Sequence, residues 1–143
     1  MASGSDRSSN PMSNLSWGIT VLRVVVGIVF LAHGWQKLFQ LGFHGVAGFF
    51  GGAGIPLPFV SAVIVTLVEF AGGIALILGF LTRFAAALNG FDMIVAILVV
   101  HLKNGFLKPG GFEHPLTLLA ACVALVMVGP GAASVDGVLA KRD

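Results

Sequence analysis

Four apolar stretches, at about Leu15–Phe39, Leu57–Phe80, Phe84–Leu102 and Pro115–Val128, fix the solvent of this chain before any other feature does. A helix needs about 20 predominantly apolar residues to cross the hydrocarbon core of a bilayer, and the first three stretches supply them. The fourth is shorter. It spans when Phe112, Glu113 and His114 sit in the headgroup zone at one end and Gly129-Pro130-Gly131 at the other. None of the stretches alternates polar with apolar residues as barrel strands do, so satisfying the backbone in lipid demands helices. Composition points the same way: 57% of the 143 residues are hydrophobic and only 10% charged, where a soluble domain carries about a quarter charged. A net charge of +2 gives no footing for a nucleic-acid partner. The predicted fold is all-α, a polytopic membrane protein built as a four-transmembrane-helix bundle with both termini on one side.

Residues 1–14, MASGSDRSSNPMSN, read as a disordered polar tail, residues 15–137 as the membrane domain and residues 138–143 as a short C-terminal tail. The first apolar stretch is too long for a signal-peptide core, contains Arg23 and lacks a small-x-small cleavage pattern, so it reads as a span. Between the first two spans, GFHGVAGFFGGAGIPLP places Gly42, Gly45, Gly48, Gly51 and Gly54 three apart without any phosphate-binding motif. It reads as a loop lying in the interface, with Phe43, Phe49 and Phe50 toward lipid and Pro56 and Pro58 opening the second helix. Arg7, Arg83, Lys141 and Arg142 fall at one end of the bundle and Lys37, Lys103 and Lys108 at the other. That excess of one cation predicts both termini on the cytoplasmic side of the membrane.

Arg23, Glu69 and Asp92 lie inside spans one, two and three, where a charge at the bilayer centre costs about 2.5–3.5 kcal/mol unless it faces protein or water. At about 100° per residue, Arg23, Gly27, Phe30, Gly34 and Lys37 share a face of helix one, and Ala85, Asn89, Asp92, Ala96 and Lys103 share one of helix three. In helix two, Ala71, Ala75 and Gly79 recur at four-residue spacing, with Glu69 beside Gly72 and Gly73, a small-residue surface for close helix approach. All three charges are therefore expected to point inward. Alternating helix directions put Glu69 near the midplane and Arg23 level with Asp92, which predicts an Arg23–Asp92 pair with Glu69 as a second carboxylate on the same guanidinium. Glu69, the acid left over, is then the candidate proton donor or acceptor for a bound redox or transported molecule. The alternative is a charge cluster that only fixes helix register.

A second constellation falls at the opposite end: His33 and Lys37 late in helix one, His101 ending helix three, Glu113 and His114 opening helix four. These groups suit a quinone carbonyl, a haem or a metal. However, His101 is about 180° from Asp92 on an ideal helix, and no two histidines have ligand-pair spacing, so interfacial hydrogen bonding is preferred to metal binding. The sole cysteine, Cys122, excludes an internal disulfide and reads as an inert core thiol.

The segments LRVVVGIVFLAHGWQKLF, GIPLP, LVEFAGGIALILGFLTRFAA, FDMIVAILVVHLKNGF and GPGAASVD make the chain, from Ile19 to Gly137, resemble the DoxX family of small prokaryotic membrane proteins. Arg23 matches the family's span-one arginine, His33, Gly34, Lys37, Leu38 and Phe39 its HGxxKLF segment, Glu69 its glutamate before paired glycines, and Asp92 and Met93 its D-M pair. The resemblance implies a four-helix inner-membrane protein linked to thiosulfate:quinone or thiol and quinone oxidoreduction. In that reading Arg23, Glu69 and Asp92 carry the chemistry, His33, Lys37 and His101 contact a quinone, and no metal is held. The absence of a dithiol calls for a partner protein supplying the redox chemistry, and a homo-oligomer is compatible with it. A proton-coupled small-molecule transporter and a non-catalytic scaffold are the alternatives.

Overall fold

A computed structural model describes residues 10–142. The helices are α1 (Pro11–Trp35), α2 (Gly42–Gly52), α3 (Pro58–Leu78), α4 (Thr82–Val95), α5 (Glu113–Val128) and the short α6 (Val135–Ala140), with no strand among the described residues. Two helices end in π-helical stretches, Gln36–Leu41 after α1 and Ala96–His101 after α4. Three helical stretches, Pro11–Gly52, Pro58–Leu78 and Thr82–Asn104, are long and apolar enough to cross a membrane, and α5 is a shorter apolar helix. The all-α polytopic membrane architecture is thus as expected. Much of the apolar surface faces outward, with Val21, Val25, Ile28, Ile74 and Met127 among the exposed residues, as lipid requires. The expected polar tail lies partly outside the described residues, and its last part, Pro11–Asn14, opens α1. There Pro11 stands at the first helical position and Asn10 accepts a hydrogen bond from the Met12 N–H at 3.1 Å.

The glycine-rich segment is not the expected loop. It continues as α2, after a break at Gly42 (φ 72°), because Val46 and Phe50, four residues apart, bury one face against Ala62 of α3. Phe49 stays outside at 59% exposure while Phe50 is inside, so only part of the predicted aromatic rim meets lipid. Pro58 opens α3 as expected.

Helices α1 and α3 touch backbone to backbone. A methyl added at Gly27 would lie 2.8 Å from the Ile77 nitrogen, one at Gly34 2.5 Å from the Phe70 nitrogen, and one at Gly73 2.5 Å from the Leu31 nitrogen. The small-residue surface of α3 is therefore the face carrying Gly73, not the expected row Ala71, Ala75 and Gly79, since Ala71 is exposed. Val26, Phe30, Leu76, Ala86, Met93, Leu118 and Leu125 fill the space among α1, α3, α4 and α5. Cys122, 1% exposed, belongs to this core as anticipated.

Candidate functional site: two buried polar centres

The three intramembrane charges do not meet at one point. Arg23, 2% exposed, donates from Nε to the Leu76 carbonyl at 2.8 Å, from Nη2 to the Ala133 carbonyl at 2.6 Å and from Nη1 to the Pro130 carbonyl. Leu76 is in the last turn of α3, while Pro130 and Ala133 lie in the segment between α5 and α6. Backbone bonds tie that segment down around the arginine: Ala132 N–H to the Ser16 carbonyl at 3.2 Å, and Asp136 N–H to the Gly79 carbonyl at 2.9 Å. Gly79 (φ 69°) has no room for a side chain, because a methyl there would lie 2.5 Å from the Ser134 Cβ and 2.8 Å from Arg23 Nη1. The Asp136 carboxylate accepts from the Leu81 and Thr82 N–H groups at 2.7 and 2.9 Å. It thereby caps α4, whose preceding residue Leu81 sits in the left-handed region (φ 48°) and offers no side-chain cap of its own. Arg23 is therefore an organiser of chain ends, and the expected Arg23–Asp92 pair is replaced by carbonyl bonds.

The reason lies in depth. Glu69 is ten residues before Gly79 and Asp92 ten residues after Thr82, so on the two arms of the α3–α4 turn both acids lie about 15 Å in from it, at about 1.5 Å per residue. Arg23, level with Leu76, lies near the turn itself. Glu69 instead pairs with Lys37, Nζ to Oε2 at 2.7 Å, and its side chain is only 4% exposed. Side chains lean toward the N-terminus of their helix, which brings Lys37 back along α1 to the level of Glu69. Asp92 neighbours Glu69, and its Oδ2 is buried with no hydrogen-bond partner among the described residues.

The two constellations read from the sequence thus exchange members. Glu69 and Asp92 join His33, Lys37, His101 and His114 around one cavity of about 650 Å³, from which Arg23 is absent. The rings of His33 and His114 stand 5.7 Å apart. His101 Nδ1 lies 2.7 Å from the Gly110 carbonyl, which also accepts from Asn104 Nδ2 at 2.9 Å. The π-helical turns of Ala96–His101 place fewer degrees between successive residues than an α-helix, which returns His101 to the cavity shared with Asp92. Glu113, named with this group in the sequence, does not line the cavity. Phe30, Phe50, Val65 and Leu118 supply apolar walls that the charge pattern did not announce. Among the described residues no three histidine, cysteine, aspartate or glutamate side chains converge to hold a metal ion.

An apolar helical bundle whose internal cavity is lined by an ion pair and a further carboxyl group defines a class, small polytopic membrane proteins with an intramembrane polar site. The chain belongs to the DoxX family, whose model matches residues 18–102. It is similar to "Putative oxidoreductase CatD" of Bacillus subtilis, 37% identical over 76% of this chain and 78% of that protein. It is also similar to "Inner membrane protein YqjF" of Escherichia coli, 33% identical over 87% of this chain and 94% of that one. "Uncharacterized membrane protein Rv3486" of Mycobacterium tuberculosis is 35% identical over 87% and 82% of the two chains. No solved structure matches.

Proposed function

We propose that this DoxX protein is the membrane subunit or anchor of a quinone-linked sulfur or thiol oxidoreductase system in a bacterial inner membrane, with both termini cytoplasmic. The observation that carries the reading is the cavity: apolar walls that also carry the Lys37–Glu69 pair and Asp92. Ligand cavities of this size combine apolar walls with a few convergent polar groups. A quinone ring fits that division, because its carbonyls need donors and its reduced hydroxyls need acceptors, and Lys37 and Asp92 offer one of each. The name of the Bacillus subtilis relative supports the oxidoreductase part, and that of the Escherichia coli relative the inner-membrane part.

Cys122 does not line the cavity, so the thiols come from the substrate or from a partner protein. With a thiol substrate two S–H bonds break and one S–S bond forms, while two electrons and two protons pass to the quinone to give the quinol; with thiosulfate two anions join through one S–S bond, two electrons pass to the quinone and its two protons come from water. The chain's own contribution is to hold the ring, exclude bulk water and move protons: the Asp92 carboxyl accepts from the reduced ring's hydroxyl, Lys37 donates to the carbonyl, and His33 and His114 connect these groups to the outer mouth. Arg23 does not line the cavity and stands outside this chemistry.

The test is quinone-dependent oxidation of thiosulfate or a low-molecular-weight thiol by membranes carrying the wild type or Glu69→Gln. The reading expects turnover that Glu69→Gln abolishes. If the purified protein binds no quinone, and neither deletion nor Glu69→Gln alters turnover, the reading is wrong.

A further inference from the structure

The walls of the cavity differ in what lies behind them. On the α1 and α5 sides Phe30, Pro115 and Leu118 are buried. On the α3–α4 side Ile64, Leu88 and Phe91, with Phe49 of α2 at its edge, line the same cavity yet are 56%, 40%, 67% and 59% exposed. A side chain that lines a cavity and also stands open on the outer surface frames an opening. All four residues belong to helical stretches long and apolar enough to span the membrane, so the opening faces acyl chains. Its origin is visible in the helix pair. Helices α3 and α4 pack closely at Gly72, where an added methyl would collide with the Asn89 side-chain amide. Beyond that contact, away from the Gly79–Leu81 turn, Ile64, Val65 and Val68 of α3 and Asp92, Met93 and Val95 of α4 line the cavity.

We infer that this gap between α3 and α4 is the entrance to the cavity for a lipid-dissolved ligand with an uncharged, hydrogen-bonding head and a long apolar tail. The head passes inward to Lys37, Glu69 and Asp92, and the tail stays in the gap and the bilayer beyond. Charge complementarity selects this occupant. The frame is apolar apart from Ser61, whose hydroxyl is already bonded to the Pro56 carbonyl at 2.8 Å, so an ionised head would have to shed its hydration in hydrocarbon to pass it. The cavity lining already holds a matched ammonium–carboxylate pair, which suits a neutral group and leaves a full charge uncompensated. The other rim of the cavity, at His101, Gly110 and His114, is polar and near the membrane surface, and so serves water and small polar molecules. The inference rests on the quinone reading and adds to it the route, the place of the tail and the basis of selectivity.

The experiment uses the full chain in proteoliposomes and two benzoquinones with the same ring, one bearing a long isoprenoid tail and one a short, water-compatible chain. Ile64→Trp and Leu88→Trp obstruct the gap from opposite rims at lipid-facing positions that the fold tolerates, so each variant backs up the other. Each is expected to raise the Kd of the long-tailed quinone by about tenfold and that of the short-chain quinone by less than about twofold. Equal changes for both quinones, or no change in either variant, would overturn the entrance. Binding of neither quinone by the wild type is a separate result, seen before any variant is made, and it overturns the quinone reading together with the entrance built on it.

Discussion

Two polar centres are buried in this bundle, and they solve the problem of charge in lipid in opposite ways. Around Arg23 every named contact is a backbone carbonyl, drawn from α3 and from the segment after α5. Around Glu69 the contacts are between side chains, Lys37 on one side and Asp92 on the other, and all three residues line a cavity. A centre that satisfies its donors with the chain's own backbone is spent on folding. One that keeps two acids and a single lysine next to open space, at a cost in desolvation, retains something for a ligand. Burial alone does not distinguish the two, since Arg23 and Glu69 are 2% and 3% exposed.

That contrast breaks most readily at the arginine. Arg23→Ala strands the carbonyls of Leu76, Pro130 and Ala133 and should cost more than about 3 kcal/mol, at about 1–3 kcal/mol for each buried group left unmade. Loss of the folded species in a detergent thermal melt, with new protease sensitivity after Val128, would show it. Glu69→Gln should act on turnover as well as on folding. It removes the buried partner, 4% exposed, from an ion pair whose lysine is 21% exposed, so a stability loss of about 3 kcal/mol is expected, while quinone-dependent turnover of the fraction that stays folded falls by more than about a hundredfold. Methyl groups at the α1–α3 contact come next. Gly73→Ala places a methyl 2.5 Å from the Leu31 nitrogen and should destabilise by about 1–3 kcal/mol, measured by the same melt, without altering the quinone Kd in whatever fraction remains folded. The smallest effect is expected at His101→Ala. Asn104 also bonds the Gly110 carbonyl, so stability should change by less than about 1 kcal/mol, with a modest rise in quinone Kd read by equilibrium binding.

Much of this organisation was legible in the residues, and the failures have physical causes. The helix-one stripe of Arg23, Gly27, Phe30 and Gly34 is buried as its spacing implies, because a straight α-helix keeps its phase over three turns. His101 was placed on the wrong face because a π-helical stretch changes that phase, and nothing in AILVVH announces one. The Gly42–Gly52 segment carries too many glycines to read as a helix by propensity, yet Val46 and Phe50 packing on Ala62 holds it. The i, i+4 apolar pair was the available signal. The Arg23–Asp92 pairing failed on registration between helices, although the equal spacing of Glu69 and Asp92 from the Gly79–Leu81 turn was there to be counted. The carbonyls that replaced Asp92 could not be foreseen, since every residue carries one.

The separateness of the two centres is the claim on which the assignment of roles depends, and a pair of double-mutant cycles in thermal stability tests it most directly. One cycle combines Arg23→Lys with Asp92→Asn, and the other combines Lys37→Gln with Glu69→Gln. Additivity within about 0.5 kcal/mol in the first, together with a coupling above about 0.5 kcal/mol in the second, is the predicted result. A coupling above about 1 kcal/mol between Arg23 and Asp92 would contradict it.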